Sequence, residues 1–221
     1  MTRPELREFA DPETTARAAG SFIASLIVET IAARGECAIA LSGGTTPGPA
    51  FRALAAMDVD WEHVRVFQVD ERVAPDGDAQ RNLTQLRECL GAQPVRITAM
   101  PVTDADLDAA ADSYAAQLPE RFDLVHLGLG ADGHTASLVP GDAVLDDLDR
   151  LVAVTGAYQG HRRMTLTYPA LGRADLLLWL VAGEDKRDAL ARLLEGDESI
   201  PAGRVRAPRS VVMADSAAAS T

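Results

Sequence analysis

The chain has 221 residues, 47% hydrophobic and 24% charged, which is enough to bury a sizeable core in one domain or two closely packed lobes. Aromatic residues make up only 5%, so Ala, Leu and Val must fill that core. A net charge of -12 argues against non-specific DNA or RNA binding, which needs a cationic surface, yet leaves room for an anionic small ligand in a local positive pocket.

The opening Met1-Thr-Arg-Pro-Glu-Leu6 carries charges and no apolar signal-peptide core. Asp11-Pro12-Glu13 reads as a helix start, with an N-cap Asp, Pro at the first position and an acid in the first turn. Ala19, Phe22, Ile23, Leu26, Ile27 and Ile31 recur at helical spacing to about Ala33, and Gly35 supplies the stop. Cys37 to Leu41 is a short apolar strand, Ser42 to Thr46 a loop, and Pro47 the first residue of a helix reaching about Met57. Val64 to Val69 is a second strand, Asn82 to Leu90 a helix closed by Gly91, and Asp104 to Leu118 a longer Ala-rich helix. Asp123 to Leu127 is a third strand, followed by a Gly-rich stretch to Pro140. Leu151 to Thr155 and Met164 to Thr167 are short extended runs. Leu176 to Val181 is a buried strand, Glu184 to Leu194 an amphipathic helix closed by Gly196, and Val211 to Met213 a last strand before a frayed end from Ala217. No apolar run approaches the ~20 residues that span a bilayer, so no membrane partner is expected and the cytoplasm is the expected location. Cys37 and Cys89 lack CxxC or zinc spacing and read as buried free thiols.

Apolar strands alternating with helices predict an α/β fold with a mainly parallel sheet covered on both faces, here as a single α/β domain over 1–221. Ligands in such sheets bind at the carboxyl ends of the strands, which singles out four loops. In the first, Gly43 and Gly44 let a backbone approach an anion, while Ser42, Thr45 and Thr46 add hydroxyls; the same pattern also suits a tight turn with a Thr cap. In the second, Asp70-Glu71-Arg72 puts three charges at the end of a buried strand, where they face either solvent or a polar site. Arg72 suits a phosphate, Asp70 suits sugar hydroxyls, and Glu71 could hold Arg72 in place. The third runs from Gly128 to Pro140, with Asp132 and His134 in a Gly-rich turn; a loop His with an ordinary pKa near neutrality suits general-base work. The fourth carries Lys186, the single lysine of the chain, in the first turn of a helix. A cation there opposes the helix dipole, so either neighbouring acids or a bound phosphate must compensate. His126 falls in a strand interior, His63 beside Trp61, and His161 in a basic run with Arg162 and Arg163 that reads as a salt-bridged surface or an anion-attracting lid.

Taken together these segments resemble the 6-phosphogluconolactonase family, related to glucosamine-6-phosphate deaminases. The matching residues are Ser42 to Pro47, Trp61, Val69 to Val73, Asn82, Phe122 to Leu124, Gly128 to Leu138, Arg163 to Thr167, Gly183 to Lys186 and Asp215. The string Gly128-Leu-Gly-Ala-Asp-Gly-His-Thr-Ala-Ser-Leu138 is the specific one. Val139 stands where the family usually has Phe, and Arg81 where it usually has Ser; Arg81 is expected at the pocket rim. The resemblance implies a Rossmann-like fold shared with sugar-phosphate isomerases, 6-phospho-D-glucono-1,5-lactone as substrate, and no metal or organic cofactor. Its small-molecule partner is a sugar phosphate. A monomer is expected, a small homo-oligomer remaining open.

On that basis the phosphate anchors to the amides of residues 43–46, to Arg72 or Arg163, and to Lys186, while His134 deprotonates the attacking water. Asp132 or Asp70 orients the imidazole. Amides of residues 128–133, or an Arg, face the oxyanion. No Gly-x-Ser-x-Gly elbow suggests a serine nucleophile. Two other readings stand beside this one: a deaminase-like isomerase using Asp70 as base, and a non-catalytic sugar-phosphate sensor.

Overall fold

The computed structural model describes residues 3–44 and 46–220, so Thr45, one of the expected phosphate donors, lies outside the described residues. The chain opens with strand β1 (Glu5–Phe9) and helix α1 (Pro12–Arg34). Asp11 caps α1 by accepting the Thr14 amide at 2.7 Å, Pro12 takes the first turn, and Gly35 ends it at φ 83°. By length and composition α1 could cross a membrane, with a mean hydropathy of 1.4, contrary to the expectation that no run comes close. Here its face of Ala16, Ala19, Gly20, Ile23 and Ile27 is buried in the protein core.

There follow β2 (Cys37–Leu41), α2 (Gly48–Ala55), β3 (Val64–Gln68), β4 (Asp70–Arg72), α3 (Asn82–Leu90), β5 (Arg96–Thr98), α4 (Leu107–Ala115) and β6 (Leu124–Leu127). The last third holds β7 (Val152–Val154), β8 (Arg163–Leu166), α5 (Tyr168–Leu171), β9 (Leu176–Val181), α6 (Arg187–Glu195), β10 (Arg209–Asp215) and α7 (Ser216–Ala219). Several boundaries differ from expectation for local reasons. Pro47 occupies the N-cap position of α2 rather than its first turn. α4 starts late because Asp106 accepts the Ala109 amide at 3.0 Å and so fixes the cap. Lys186 closes a separate 3-10 turn, Glu184–Lys186, ahead of α6. Ser216–Ala219, which overlap the expected frayed end, are helical because Asp215 caps α7 through the Ala218 amide at 2.9 Å.

Seven strands form one sheet in the order β1-β10-β9-β6-β2-β3-β5, parallel at every pairing. β9 shows how both faces are covered. Leu176, Leu178 and Leu180 pack with α1 and α2, while Leu177, Trp179 and Val181 pack with α6 on the other side. From β2 the chain builds outward through β3 to β5; from β6 it builds the other way through β9 to β10. β2 and β6 therefore flank the switch point, where the loops leaving their carboxyl ends diverge and open a crevice.

A second, antiparallel sheet has the order β4-β8-β7. It grows out of β3 through Val69, whose amide donates to Leu41 O at 3.0 Å while its carbonyl accepts from the Leu166 amide at 2.8 Å. Asp70 to Arg72 thus form a strand of their own above the crevice rather than a solvated strand end.

Candidate active site

The loop after β6 is closed on itself. The Gly130 amide donates to His134 O at 2.8 Å, the Gly133 amide to Gly130 O at 2.9 Å, and Thr135 Oγ1 to Gly128 O at 2.8 Å. Gly133 sits at φ 82°, where a side chain would be strained. This winding lays the His134 ring over Gly130, so closely that a Cβ at Gly130 would stand 2.0 Å from Nδ1. Asp132 Oδ1 accepts from the His134 amide at 3.1 Å and lies 2.6 Å from Nδ1. Burial works to raise the Asp132 carboxyl, but the His134 amide, ring and charge outweigh it and hold the carboxyl below its ordinary range. With Nδ1 engaged, Nε2 is the ring nitrogen left without a protein partner among the described residues.

The second wall comes from the small sheet. The β4–β8 register sets Arg72 directly opposite Arg163, and both line the crevice. Like charges facing each other across strands repel, a cost that a bound anion would relieve. Arg72 is anchored by donating to Gln80 O at 2.9 Å and Asn82 Oδ1 at 2.5 Å. Arg163 is 5% exposed, and its Nε has no hydrogen-bond partner among the described residues. Burial lowers its pKa, and the nearby Asp70 opposes that shift. Lys186 completes the cationic set beside Asp185 at 2.9 Å. Its turn is held by Asp215, whose two carboxylate oxygens each accept the Gly183 amide at 3.1 Å.

Asp70 lines the same crevice, but its carboxylate is occupied, accepting Ser137 Oγ at 2.6 Å and Asn82 Nδ2 at 3.0 Å. Burial raises its pKa against the pull of Ser137, Arg72 and Arg163. The carboxylate on the imidazole is therefore Asp132, and the expected alternative of Asp70 in that position is not met. Glu71 points away from the crevice. It accepts from Gln68 Nε2 at 2.9 Å and from the Arg72, Asn82 and Leu83 amides at 2.8, 2.7 and 2.8 Å. It thereby caps α3 from across space and does not hold the Arg72 guanidinium. Arg81, expected at the rim, is 2% exposed beneath it. Its Nε lies 3.0 Å from Glu71 Oε2, an ion pair too bent to count as a hydrogen bond.

The loop after β2 forms the floor. Ser42, Gly43, Gly44 and Thr46 all line a crevice of about 200 Å³ together with His134, Arg72, Arg163 and Lys186. A Cβ on Gly43 would meet Asn82 Oδ1 at 2.0 Å. The Gly44 amide, expected to face an anion, donates to Gln85 Oε1 at 3.2 Å. Two amides considered for the oxyanion, those of Gly130 and Gly133, are likewise spent inside their own loop. Beneath Ser42 lies His126, fully buried, its Nδ1 2.9 Å from Ser42 Oγ. Cys37 is buried as expected; Cys89 is half-buried beside Arg52. A larger cleft of about 740 Å³ lies between Trp179, the C-terminal end of α6 and the segment 202–208, but no catalytic grouping converges on it.

Three contributors were not legible as site residues. Asn82 links Asp70 to Arg72, Ser137 holds Asp70, and Tyr158 stands edge-on to the His134 ring, centroids 5.5 Å apart. Asn82 and Ser137 lie in matched segments, but only the fold shows their bonds. Tyr158 lies in a loop without any pattern to flag it. Among the described residues, no group of three or more His, Cys, Asp or Glu is placed to hold a metal ion.

Fold and crevice together define a class: parallel α/β proteins that set an imidazole against a cationic wall at the switch point of the sheet. The family model described as glucosamine-6-phosphate isomerases/6-phosphogluconolactonase matches residues 10–214. A 6-phosphogluconolactonase of Streptomyces coelicolor is 35% identical over 250 residues, covering 98% of this chain and 94% of that one. One of Mycobacterium tuberculosis is 35% identical over 217 residues, 88% of each. A crystal structure of a 6-phosphogluconolactonase from Shewanella baltica superposes with a TM-score of 0.88 at 27% identity, over 97% of this chain and 99% of that one. A monomeric glucosamine-6-phosphate deaminase, at TM-score 0.86 and 20% identity, shares the fold. The chain belongs to the glucosamine-6-phosphate isomerase/6-phosphogluconolactonase family.

Proposed function

We propose that the protein hydrolyses 6-phospho-D-glucono-1,5-lactone to 6-phosphogluconate, the second step of the oxidative pentose phosphate pathway. The observation that carries this reading is His134, backed by Asp132 on Nδ1 and facing Arg72, Arg163 and Lys186 across the crevice. The relatives named 6-phosphogluconolactonase support the substrate.

The phosphate binds among the cations and Ser42 and Thr46, and that remote binding energy orients the ring carbonyl. His134 Nε2 accepts a proton as water attacks C1, and Asp132 fixes the tautomer and stabilises the resulting imidazolium. With the Gly130 and Gly133 amides engaged, the oxyanion is stabilised by the remaining amides of residues 128–133 or by a guanidinium of the wall that the phosphate leaves free. The tetrahedral adduct collapses with cleavage of the bond from C1 to the ring oxygen, and the imidazolium returns its proton to that oxygen. The deaminase-like reading would need Asp70 as a free base, and Ser137 and Asn82 occupy it. The two free thiols fit a reducing cytoplasm.

The test is hydrolysis of freshly generated lactone, coupled to 6-phosphogluconate dehydrogenase, beside a no-enzyme control because the lactone also opens unaided. Wild type runs well above background, and His134→Ala loses about 10²–10⁴-fold in kcat while still binding 6-phosphogluconate. No rate above background from folded wild type rejects the lactonase reading; ammonia released from glucosamine 6-phosphate would revive the deaminase. Near-normal turnover in the variant removes His134 as the base.

A further inference from the structure

We propose that Tyr158 is a positioning residue for the reaction, fixing the Asp132 carboxylate through its phenolic O–H and so holding the His134 ring in its working orientation. This rests on the lactonase reading of the same site.

Asp132 divides its two oxygens. Oδ1 serves His134, at 2.6 Å from the ring and 3.1 Å from the amide, while Oδ2 accepts from the Tyr158 hydroxyl at 3.3 Å. The need for a second hold follows from exposure. The Asp132 side chain is 41% exposed, so water competes for it and the carboxylate is free to swing. A carboxylate that rotates carries the imidazole with it. Tyr158 addresses both problems, since its hydroxyl occupies the second oxygen and its ring stands 65° to the imidazole plane, covering one side.

The loop is shaped to deliver that ring. Tyr158 and His161 close a tight turn, amide to carbonyl at 2.9 and 3.3 Å in the two directions. Gln159 at φ 50° and Gly160 at φ 85° make the reversal. A left-handed Gln is strained, and it persists here next to the tyrosine that reaches Asp132. Arg163 braces the turn from below. Its guanidinium lies 5.1 Å from the Tyr158 ring centroid and donates to Tyr158 O and Gln159 Oε1, each at 3.4 Å. One arginine thus serves the cationic wall and supports the residue that steadies the base. Burial, then the Asp132 charge, raise the phenol's pKa, so the hydroxyl stays a donor.

Three variants test this: Tyr158→Phe, Tyr158→Leu and Asp132→Asn, with the Tyr158→Phe/Asp132→Asn pair, each first checked for a wild-type-like thermal melt. Phe keeps the ring and loses only the hydroxyl. The expected result is that Phe and Leu both lower kcat about three- to tenfold with KM little changed. In the Asp132→Asn background, assayed at higher enzyme concentration, Tyr158→Phe should cost nothing further. A Phe variant equal to wild type overturns the proposal, as does a raised KM at constant kcat or full additivity with Asp132→Asn. The His134 ring Nδ1–H proton resonance provides a readout that needs no substrate. Tyr158→Phe should shift it, because Asp132 loses a donor on its other oxygen. An unmoved resonance overturns the positioning role even if the lactonase reading holds. A shifted resonance in a protein without lactone turnover would sink the function and leave the Tyr158–Asp132–His134 linkage standing.

Discussion

Gly130 is the residue on which the position of the base depends. A methyl group there would fall 2.0 Å from His134 Nδ1 and 2.6 Å from Asp132 Oδ1, so Gly130→Ala must displace the ring. We expect a folded protein whose kcat falls by about 10²-fold, the scale set by misplacing a catalytic group by an ångström; circular dichroism and steady-state kinetics would check both halves. His126 poses a different question, because burial pushes its pKa down to about 3. The folded state keeps it neutral while the unfolded chain protonates it below about 6.5. Between those values the unfolded state holds the extra proton, so stability falls as pH falls, by about 1.4 kcal/mol per pH unit. Urea unfolding at pH 5 and pH 7 should show a steeper loss of stability in wild type than in His126→Leu; equal slopes would mean that the imidazole is protonated in the folded state as well.

Among the elements, the pairing of β4 with β8 does most to define the crevice, because it faces Arg72 with Arg163. An anion bound between them should raise the thermal midpoint through binding to the folded state alone. Scanning calorimetry with 6-phosphogluconate should show the rise in wild type and its loss in Arg163→Ala; an undiminished rise in the variant would move the anchor to Lys186 and the loop after β2. α1 makes a contrasting point. Gly20 sits mid-helix where it ordinarily costs stability, yet a Cβ there would meet Ala50 O at 2.8 Å and Ala53 Cβ at 3.0 Å. Close approach of α1 to α2 is the reason, and Gly20→Leu should destabilise by about 1–3 kcal/mol or more through overpacking, measurable in urea. α1, β2, α3 and β9 were legible from their residues because capping chemistry and apolar runs are local signals. β1 and β5 were not: they are edge strands, half-exposed and partly charged, whose pairing comes from residues far along the chain. β4 was masked by its three charges, which a buried strand tolerates only because one side faces the crevice and the other satisfies Glu71. Likewise the His134 turn could be read from its glycines, whereas Tyr158 and Ser137 join the site only through tertiary contacts.

At the scale of the whole molecule, the crevice is assembled from six separated stretches of chain that meet because the sheet changes direction between β2 and β6. A protein with net charge -12 thereby concentrates two arginines and a lysine at one point. The sign of that point hangs on a single backbone frame. Along β4, Glu71 faces inward and Arg72 faces the crevice, so sliding the strand by one residue would exchange them. The wall would then repel the anion it now attracts. Glu71 acts as a detent against that slip, since the Asn82 and Leu83 amides and the Arg81 cation engage it from a separate element in the present frame. Glu71→Ala should therefore do more than cost about 1–3 kcal/mol for each of the Asn82 and Leu83 amides it leaves unpaired, Arg81 keeping Asp76 at 2.9 Å. It would leave the electrostatic polarity of the binding wall free to wander.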